Sequence, residues 1–280
     1  MKVIHNCSIY DFHKQYCLNI HNELLKRGHT SIIETSNEYY HDADFTIQPD
    51  ENSNNLGGKG VWINHALPVV PQNKFYIEDS FLNDLTNNCD YIFTFSDEWK
   101  EWHSEMYGLP TFNVGMPKLD TLFDNIEGGS ILFAPTHSGK PNVYCGDKIP
   151  EIKVSEEDDV IMRGHPAFTN NQLSLHDSFK KSSIVISDYS SIGLEAIILN
   201  IPTILIGDEK WRDFDNEHIS AKADEAVIRV YSEEEIQEAI MIYKNNPKHL
   251  ERERLKYSKI LCDYQKTSSK KFVDTLEELI

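Results

Sequence analysis

The fold of this 280-residue chain is decided by the segment Ile184-Val185-Ile186-Ser187-Asp188-Tyr189-Ser190-Ser191-Ile192-Gly193-Leu194-Glu195-Ala196. Its opening run, Ile184 to Ser187, is typical of a buried strand, and a helix is predicted next from Ser191 to Leu199. A second apolar run, Thr203 to Ile206, follows that helix. Because a strand, a crossover helix and another strand make a βαβ unit, the segment predicts a parallel sheet.

The same alternation is predicted in the rest of the chain. In the first third, Phe12, Tyr16, Ile20 and Leu24 recur every four residues, and Gly28 stands where a helix C-cap belongs. The other predicted strands are Val3–Cys7, Ser31–Ile33, Val61–Ile63, Tyr91–Phe95, Phe112–Val114, Ile131–Ala134 and Val160–Arg163. The other predicted helices run from Ser96 to Gly108, from Glu233 to Tyr243, then to residue 262 and from residue 268 to 280.

Two such units, joined by a linker over Gly115–Gly129, predict an α/β protein of two Rossmann-like domains whose parallel sheets face a central cleft. The predicted boundaries are 1–116 for the N-terminal domain and 117–262 for the C-terminal domain. The final helix, 263–280, is predicted to pack back on the N-terminal domain.

The composition narrows the class of protein and its compartment. Hydrophobic residues make up 40% of the chain, which suits a globular fold and excludes a fibrous or disordered one. No run approaches 18 apolar residues, and the start lacks the apolar segment of a signal peptide. The five cysteines are widely spread without a Cys-x-x-Cys pair, which excludes a zinc ribbon and disfavours a disulfide framework. These features predict a cytoplasmic protein, with contact at the membrane periphery left open.

Charge is distributed unevenly along the chain. The 45 acidic residues exceed the 27 basic ones by 18, and such a surface repels nucleic acid and anionic membranes at long range. Between Lys244 and Lys271, however, nine basic residues stand against three acidic ones, a local balance of +6. A solvated helix face is the favoured interpretation. Contact with an anionic, lipid-linked or nucleic-acid acceptor is the second.

The turn before the predicted helix at Ser191 is a candidate phosphate site. Ser190 and Ser191 fall at the helix start, where free N–H groups and the helix dipole attract phosphate. Glu195 comes one turn later on the same face as Ser191, where a carboxylate can accept hydrogen bonds from ribose hydroxyls. The structural alternative is that Ser190 or Ser191 only caps the helix.

Two histidines follow strand ends, one in each half of the chain. His65 is a candidate general base, and His165 occupies a similar position in the second half. Their structural alternative is a loop-capping role. Arg163, two residues before His165, is a candidate phosphate partner, although a surface arginine is the more frequent outcome.

Other motifs carry weaker signals. An ATP-binding P-loop is excluded by the spacing of Ala134-Pro135-Thr136-His137-Ser138-Gly139-Lys140. A turn that binds the donor is the functional interpretation that is left for this segment. The Asp42-Ala43-Asp44 triplet is interpreted as structural, because such triplets are frequent in acidic chains. No set of His, Cys and carboxylate residues has metal-ligand spacing.

These residues together resemble a known family, the CDP-glycerol glycerophosphotransferases, which include teichoic-acid polymerases and primases. The resemblance spans 115–276 and its most specific motif is Asp188-Tyr189-Ser190-Ser191. The other matching motifs, in order, are Gly115-Met116-Pro117-Lys118-Leu119-Asp120, Ile131-Leu132-Phe133-Ala134-Pro135-Thr136, Arg163-Gly164-His165-Pro166, Pro202-Thr203-Ile204, Trp211-Arg212-Asp213 and Gln265–Leu276. In the first third, Asn64-His65-Ala66-Leu67-Pro68 stands where the family has Trp-His-Gly-Thr-Pro.

The resemblance implies a GT-B fold, with an acceptor-side N-terminal domain and a donor-binding C-terminal domain. It implies that the donor site comprises Thr136, Arg163, His165, Asp188, Ser190, Ser191 and Glu195. In that site His165, Ser190 and Ser191 hold the phosphates, and Glu195 is similar to the ribose-binding acid of other GT-B enzymes. His65 carries over as the catalytic base, although the altered acceptor loop puts the acceptor in doubt. No metal and no cofactor are implied, because the nucleotide diphosphate donor is a substrate.

Three functions follow as hypotheses. The first is a GT-B transferase that moves a glycosyl or glycerophosphoryl group from a nucleotide diphosphate donor, a nucleotide-activated sugar or CDP-glycerol, to an acceptor hydroxyl. Glu195, the short chain and the altered acceptor loop favour the sugar nucleotide. The second is an enzyme that resembles UDP-sugar 2-epimerases, which share the fold. The third is a catalytically inactive nucleotide-binding module.

Overall fold

A computed structural model describes residues 1–8, 13–49, 53–63, 87–134, 158–164, 173–188, 190–207 and 223–280. The described residues form two compact units. Those up to Phe123 and from Ile260 to Ile280 make the first, and those from Asp124 to Lys259 make the second. Among the described residues, no helix is long and apolar enough to cross a membrane.

Strands and helices alternate over most of the described chain. The strands are β1 (Lys2–Asn6), β2 (Thr30–Glu34), β3 (Phe45–Gln48), β4 (Lys59–Ile63), β5 (Tyr91–Thr94), β6 (Thr111–Asn113), β7 (Ser130–Ala134), β8 (Val160–Met162), β9 (Ser182–Ser187), β10 (Thr203–Ile206) and β11 (Ile228–Val230). The helices are α1 (His13–Lys26), α2 (Asp97–Tyr107), α3 (Leu175–Lys181), α4 (Ser191–Ile198), α5 (Glu233–Asn245), α6 (Glu251–Leu261) and α7 (Ser268–Glu278). Short 3₁₀ turns lie at Pro117–Leu119 and Ala223–Ala226.

The first unit is built on a sheet with the described strand order β2-β1-β3-β4-β5-β6. All of these strand pairs are parallel. The helix α1 buries Cys17, Ile20 and Leu24, which lie on one helical face. Phe272 and Leu276 of α7 belong to the same core cluster, so two helices cover one hydrophobic core.

The second unit repeats this plan with the described strand order β11-β10-β9-β7-β8, again parallel throughout. Its core joins Ile131, Ile186 and Ile204 from the central strands to Ile236 and Ile240 of α5. The two parallel sheets confirm the predicted α/β class. They also confirm that the segment from Ile184 onward forms a βαβ unit.

The segment predicted as a linker is partly built into the first unit. The Asp120 carboxylate accepts hydrogen bonds from the backbone N–H groups of Ser268, at 3.0 Å, and Ser269, at 2.7 Å, and from the Ser269 hydroxyl, at 2.6 Å. It therefore satisfies free donors at the start of α7. Gly115 has a φ of 75°, and a Cβ there would lie 2.4 Å from the Asp263 carbonyl oxygen, so only glycine fits.

Two of the described strands, β3 and β11, were absent from the sequence prediction, and so was the helix α3. β3 has only four residues, and it pairs with β1 on the side opposite β2. Its apolar residues alternate too briefly to give a periodic signal. Its presence determines where the first sheet reverses direction.

Candidate functional site

The second sheet reverses its direction of growth between β7 and β9. Chain order adds β8 on one side of β7, and then β9 on the other. Because the strands are parallel, their carboxyl ends share one edge, and the ends of β7 and β9 flank the point of reversal. In open α/β sheets ligands bind at this point.

Polar residues are fixed at this edge by hydrogen bonds. The buried Ser187 hydroxyl at the end of β9 donates to the Ala134 carbonyl oxygen at the end of β7, at 2.7 Å. Asp188 follows and is only 3% exposed. Arg163, after β8, is 6% exposed, and its Nη1 donates to the Leu173 carbonyl oxygen at 2.7 Å. One guanidinium and one carboxylate are thus held at the carboxyl edge of the sheet.

The helix α4 begins directly after this edge. Ser190 is its N-cap residue, with extended backbone, and its hydroxyl accepts a 3.4 Å hydrogen bond from the Ile192 N–H. Ser191 is the first helical residue and is half-buried; its hydroxyl makes no hydrogen bond to other described residues. Ser190 therefore caps the helix, while the Ser191 hydroxyl stands at the helix start, where the helix dipole attracts an anion.

The rest of α4 packs tightly against the sheet. A Cβ on Gly193 would lie 2.6 Å from Leu205 Cδ2, so the glycine lets the helix approach β10 closely. Glu195, one turn further on, is 0% exposed. Its carboxylate is therefore inside the unit in this structure, and its contact with a ribose stays a prediction.

Three predicted site residues, His65, Thr136 and His165, lie outside the described residues. The Trp211-Arg212-Asp213 motif also lies outside them. The structure brings Arg163, Asp188, Ser190 and Ser191 to the same edge of one sheet. The strand pairing that joins β8, β7 and β9 could not be read from the sequence, although each strand was predicted.

The first sheet has its own point of reversal, between β1 and β3. Asn6 ends β1 and is fully buried. Its amide donates to the Asn54 carbonyl oxygen at 2.8 Å, and its Oδ1 accepts from the Ser8 hydroxyl at 2.6 Å. Neither Asn6 nor Ser8 carries a sequence signal of its own, because the reversal point depends on β3.

A buried carboxylate ends the neighbouring strand β2. Glu34 accepts hydrogen bonds from the Thr35 N–H at 2.7 Å, from the Ser36 N–H at 2.5 Å and hydroxyl at 2.6 Å, and from the Tyr40 hydroxyl. The hydrogen bonds from Ser36 and Tyr40 lower the pKa of Glu34 to about 2. In return, the hydrogen bond to Glu34 raises the pKa of Tyr40 to about 12. This edge therefore carries a permanent negative charge.

The basic stretch from Lys244 to Lys271 is partly used inside the protein. Lys244 pairs with Asp158, and Lys256 pairs with Glu225 at 3.1 Å. Arg254 is 1% exposed, and its Nη1 donates to the His249 carbonyl oxygen at 2.6 Å. The exposed cations that continue the stretch include Lys248, Arg252, Lys259 and Lys270. Within the described part of the chain, no group of three or more His, Cys, Asp or Glu side chains is arranged to hold a metal ion.

Comparisons with known proteins bear on the fold. No family model and no curated protein matches the chain. The chain is similar to the solved wall teichoic acid polymerase TagF, with a TM-score of 0.71 and 12% identity over 99% of this chain and 88% of that chain. It is also similar to the UDP-GlcNAc 2-epimerase from Neisseria meningitidis bound to UDP-GlcNAc, with a TM-score of 0.60 and 15% identity over 99% and 100%. MnaA from S. aureus, solved with UDP, gives a TM-score of 0.62 and 10% identity over 100% and 97%.

Identities this low show the fold alone. That fold is GT-B, with one Rossmann-like parallel sheet in each unit, as predicted. The predicted resemblance to the teichoic-acid polymerases is confirmed at this level.

Proposed function

We propose that the protein is a GT-B enzyme that binds a nucleotide diphosphate donor on its second unit and transfers the activated group to an acceptor hydroxyl. The proposed group is glycosyl, with glycerophosphoryl as the other option. The observation that carries the proposal is the carboxyl edge of the second sheet, where Ser191 begins α4 after β9 and Arg163 follows β8. Neighbours of the same fold are a teichoic acid polymerase, a UDP-GlcNAc 2-epimerase solved with UDP-GlcNAc, and MnaA solved with UDP.

The chemistry of this edge suits a diphosphate. Negative charge develops on the departing diphosphate in the transition state of group transfer. The helix start, the Ser191 hydroxyl and the Arg163 guanidinium are donors that need little reorganisation, because the packing of α4 and the Leu173 hydrogen bond already hold them. Asp188, Thr136 and His165 complete the proposed donor site, and Glu195 is proposed to accept from the ribose.

Deprotonation of the acceptor is assigned to His65. A neutral imidazole can take the acceptor proton as the new bond forms. Metal-independent transfer is part of the proposal, since positive groups of the chain take the place of a cation at the diphosphate. The exposed cations of the 244–271 stretch are proposed to contact an anionic acceptor, and a cytoplasmic site is proposed for the reaction.

A thermal-shift screen against UDP, CDP, GDP and their sugar or glycerol conjugates tests the donor assignment. A nucleotide at 100 times its dissociation constant stabilises the folded protein by about 2.7 kcal/mol, a shift that such a screen detects readily. Stabilisation by one nucleotide class and not by adenosine 5′-monophosphate supports the proposal. No shift with any nucleotide diphosphate would overturn it.

A UDP-sugar 2-epimerase-like activity is the second candidate. The UDP-GlcNAc 2-epimerase from Neisseria meningitidis is covered over 100% of its own chain, so the present chain includes the same structural units. Incubation with a UDP-sugar without acceptor separates the candidates. An epimerase changes the sugar under these conditions, whereas a transferase needs the acceptor. Nucleotide binding without either reaction would leave the inactive binding module.

A further inference from the structure

Two cysteine thiols are in contact within the first unit. Cys7 directly follows β1, and Cys17 lies in the second turn of α1. Their sulfur atoms are 3.8 Å apart, with the Cys7 thiol donating to Cys17. Both side chains are buried in the core cluster, with exposures of 1% and 0%. The proposed transferase chemistry uses neither thiol.

We propose that Cys7 and Cys17 form a modification site, at which a low-molecular-weight disulfide such as oxidised glutathione closes an intramolecular bridge between β1 and α1. A disulfide needs sulfur atoms about 2.05 Å apart. The two sulfurs are 3.8 Å apart, so they must approach by about 1.8 Å for the bond to form.

The reaction is two consecutive thiol–disulfide exchanges. The Cys7 thiolate attacks one sulfur of oxidised glutathione, which breaks the glutathione S–S bond and releases one glutathione thiolate. The Cys17 thiolate then attacks the Cys7 sulfur of the mixed disulfide and releases the second glutathione. Two electrons pass to the glutathione, and the two cysteine protons end on the released thiolates.

The environment makes the first step slow and the product specific. The neighbouring Cys7 thiol and burial raise the pKa of Cys17, which slows its reaction as a thiolate. Both thiols are buried, so attack by glutathione requires a local opening of the core around them. Of the other described cysteines, Cys89 donates to Gln48 Oε1 and Cys262 to the Asp263 carbonyl oxygen. Oxidation is therefore expected to join Cys7 to Cys17 rather than to these thiols.

The bridge would act on the carboxyl edge of the first sheet. Asn6 and Ser8 flank Cys7 at the point of reversal between β1 and β3. A bond from Cys7 to Cys17 would join the end of β1 covalently to α1. The site is independent of the proposed donor site, because all of these residues belong to the first unit.

Peptide mapping of the full chain tests the site. The protein is equilibrated with reduced and oxidised glutathione, its free thiols are blocked with N-ethylmaleimide, and it is digested with trypsin. Cleavage after Lys14 separates the peptide Val3–Lys14 from Gln15–Lys26, so a bridge joins two peptides that otherwise separate. We expect this linked pair in the wild-type protein and in Cys89→Ser and Cys145→Ser variants, with loss in Cys7→Ser.

The equilibrium constant for bridge formation is also measured in 8 M urea. This comparison shows whether the native structure, rather than the short distance between the two cysteines along the chain, favours the bridge. Flexible loops give effective concentrations in the mM range, and prepositioned groups far exceed this, so we expect the bridge to be at least about tenfold more favourable in the native protein. Equal values in both states, or Cys7 and Cys17 fully alkylated after native oxidation, would overturn the proposal. Nucleotide binding is measured on the same samples, so that a failure of the proposed donor binding is distinguished from a failure of the disulfide proposal.

Discussion

Both sheets reverse their direction of growth, the first between β1 and β3 and the second between β7 and β9, and their carboxyl edges nevertheless carry different chemistry. At the first edge, Glu34 is a permanent anion whose oxygens are occupied by the loop that follows it. The second edge carries the Arg163 guanidinium, the Asp188 carboxylate and the start of α4. The Glu34 carboxylate repels a phosphate group, whereas the guanidinium and the helix start attract one.

The difference also separates Glu34 from a cofactor-binding role. In dinucleotide-binding Rossmann domains, an acid at the end of the second strand binds the ribose, and a Gly-x-Gly-x-x-Gly turn follows the first strand. Glu34 has the corresponding position, yet its donors come from Thr35, Ser36 and Tyr40. Asn6-Cys7-Ser8 stands where the glycine-rich turn would begin. A shared sheet plan therefore does not give the two units a shared ligand.

The largest expected effect is on turnover, and it tests whether catalysis and donor binding depend on different halves of the chain. We expect His65→Ala to leave nucleotide affinity nearly unchanged and to slow turnover by about 10²–10⁴, the usual contribution of a general base. Activity of the parent protein should fall at low pH, because a protonated imidazole cannot accept the acceptor's proton. Steady-state kinetics and nucleotide titration check this, with the exposed His41→Ala as control. Lost binding with unchanged turnover would make His65 a donor ligand or a structural residue.

The next largest effect tests the proposed donor site at the carboxyl edge of the second sheet. Ser191→Ala removes a hydroxyl that can donate to a phosphate, and we expect donor affinity to fall by roughly 1.5–3 kcal/mol, about 10–150-fold. The matched control is Ser8→Ala at the edge of the first sheet, which should leave nucleotide affinity unchanged. Calorimetric titration with the nucleotide found in the screen measures both. If Ser8→Ala had the larger effect, the comparison between the two edges would be reversed.

A third prediction concerns the anion at the first edge. Glu34→Gln places an amide N–H₂ against hydrogen-bond donors, and we expect the free energy of unfolding to fall by roughly 1.5–3 kcal/mol. Glu38→Gln, an exposed change of the same charge in the same loop, is the control. Urea unfolding measures the loss, while nucleotide affinity should stay constant in both variants.

The same carboxylate gives the loss a defined pH dependence. Its folded pKa of about 2 lies below the ordinary value of 4.5, so the carboxylate stabilises the fold fully above pH 4.5. This contribution is lost as the pH falls toward 2. The difference between the wild-type protein and Glu34→Gln should therefore shrink over this range. A constant difference would mean that packing, rather than charge, explains the loss.

The sequence predicted long elements better than the contacts between them. The apolar spacing of Ile20 and Leu24 located α1, and the run Ile184 to Ser187 located β9. The four-residue β3 was missed, and with it the reversal point beside Asn6. Local periodicity reports which face of an element is buried, but it does not report which strand lies beside it.

The same limit applies to the candidate site. Ser190 and Ser191 were selected from local sequence, because a helix start is a local feature. The capping of α7 by Asp120 and the contact between Cys7 and Cys17 depend on residues that meet only after folding. The matched motif around Asp120 pointed to a linker, whereas its carboxylate serves a helix 148 residues away.

The smallest expected effect separates the two serines of the donor edge. The Ser190 hydroxyl accepts from the Ile192 N–H at the long distance of 3.4 Å, so Ser190→Ala should lower the free energy of unfolding by only about 0.5–1 kcal/mol. Ser190→Gly should cost a few tenths of a kcal/mol, because glycine is tolerated at an N-cap. Thermal unfolding with and without nucleotide checks both variants. If Ser190 acts only as a cap, each variant should lose the same free energy of unfolding with and without nucleotide, since the helix is present in both conditions. A loss that grows when nucleotide is bound would mean that the Ser190 hydroxyl also donates to the phosphate. Ser190 would then be both the helix cap and, together with Ser191, a phosphate ligand.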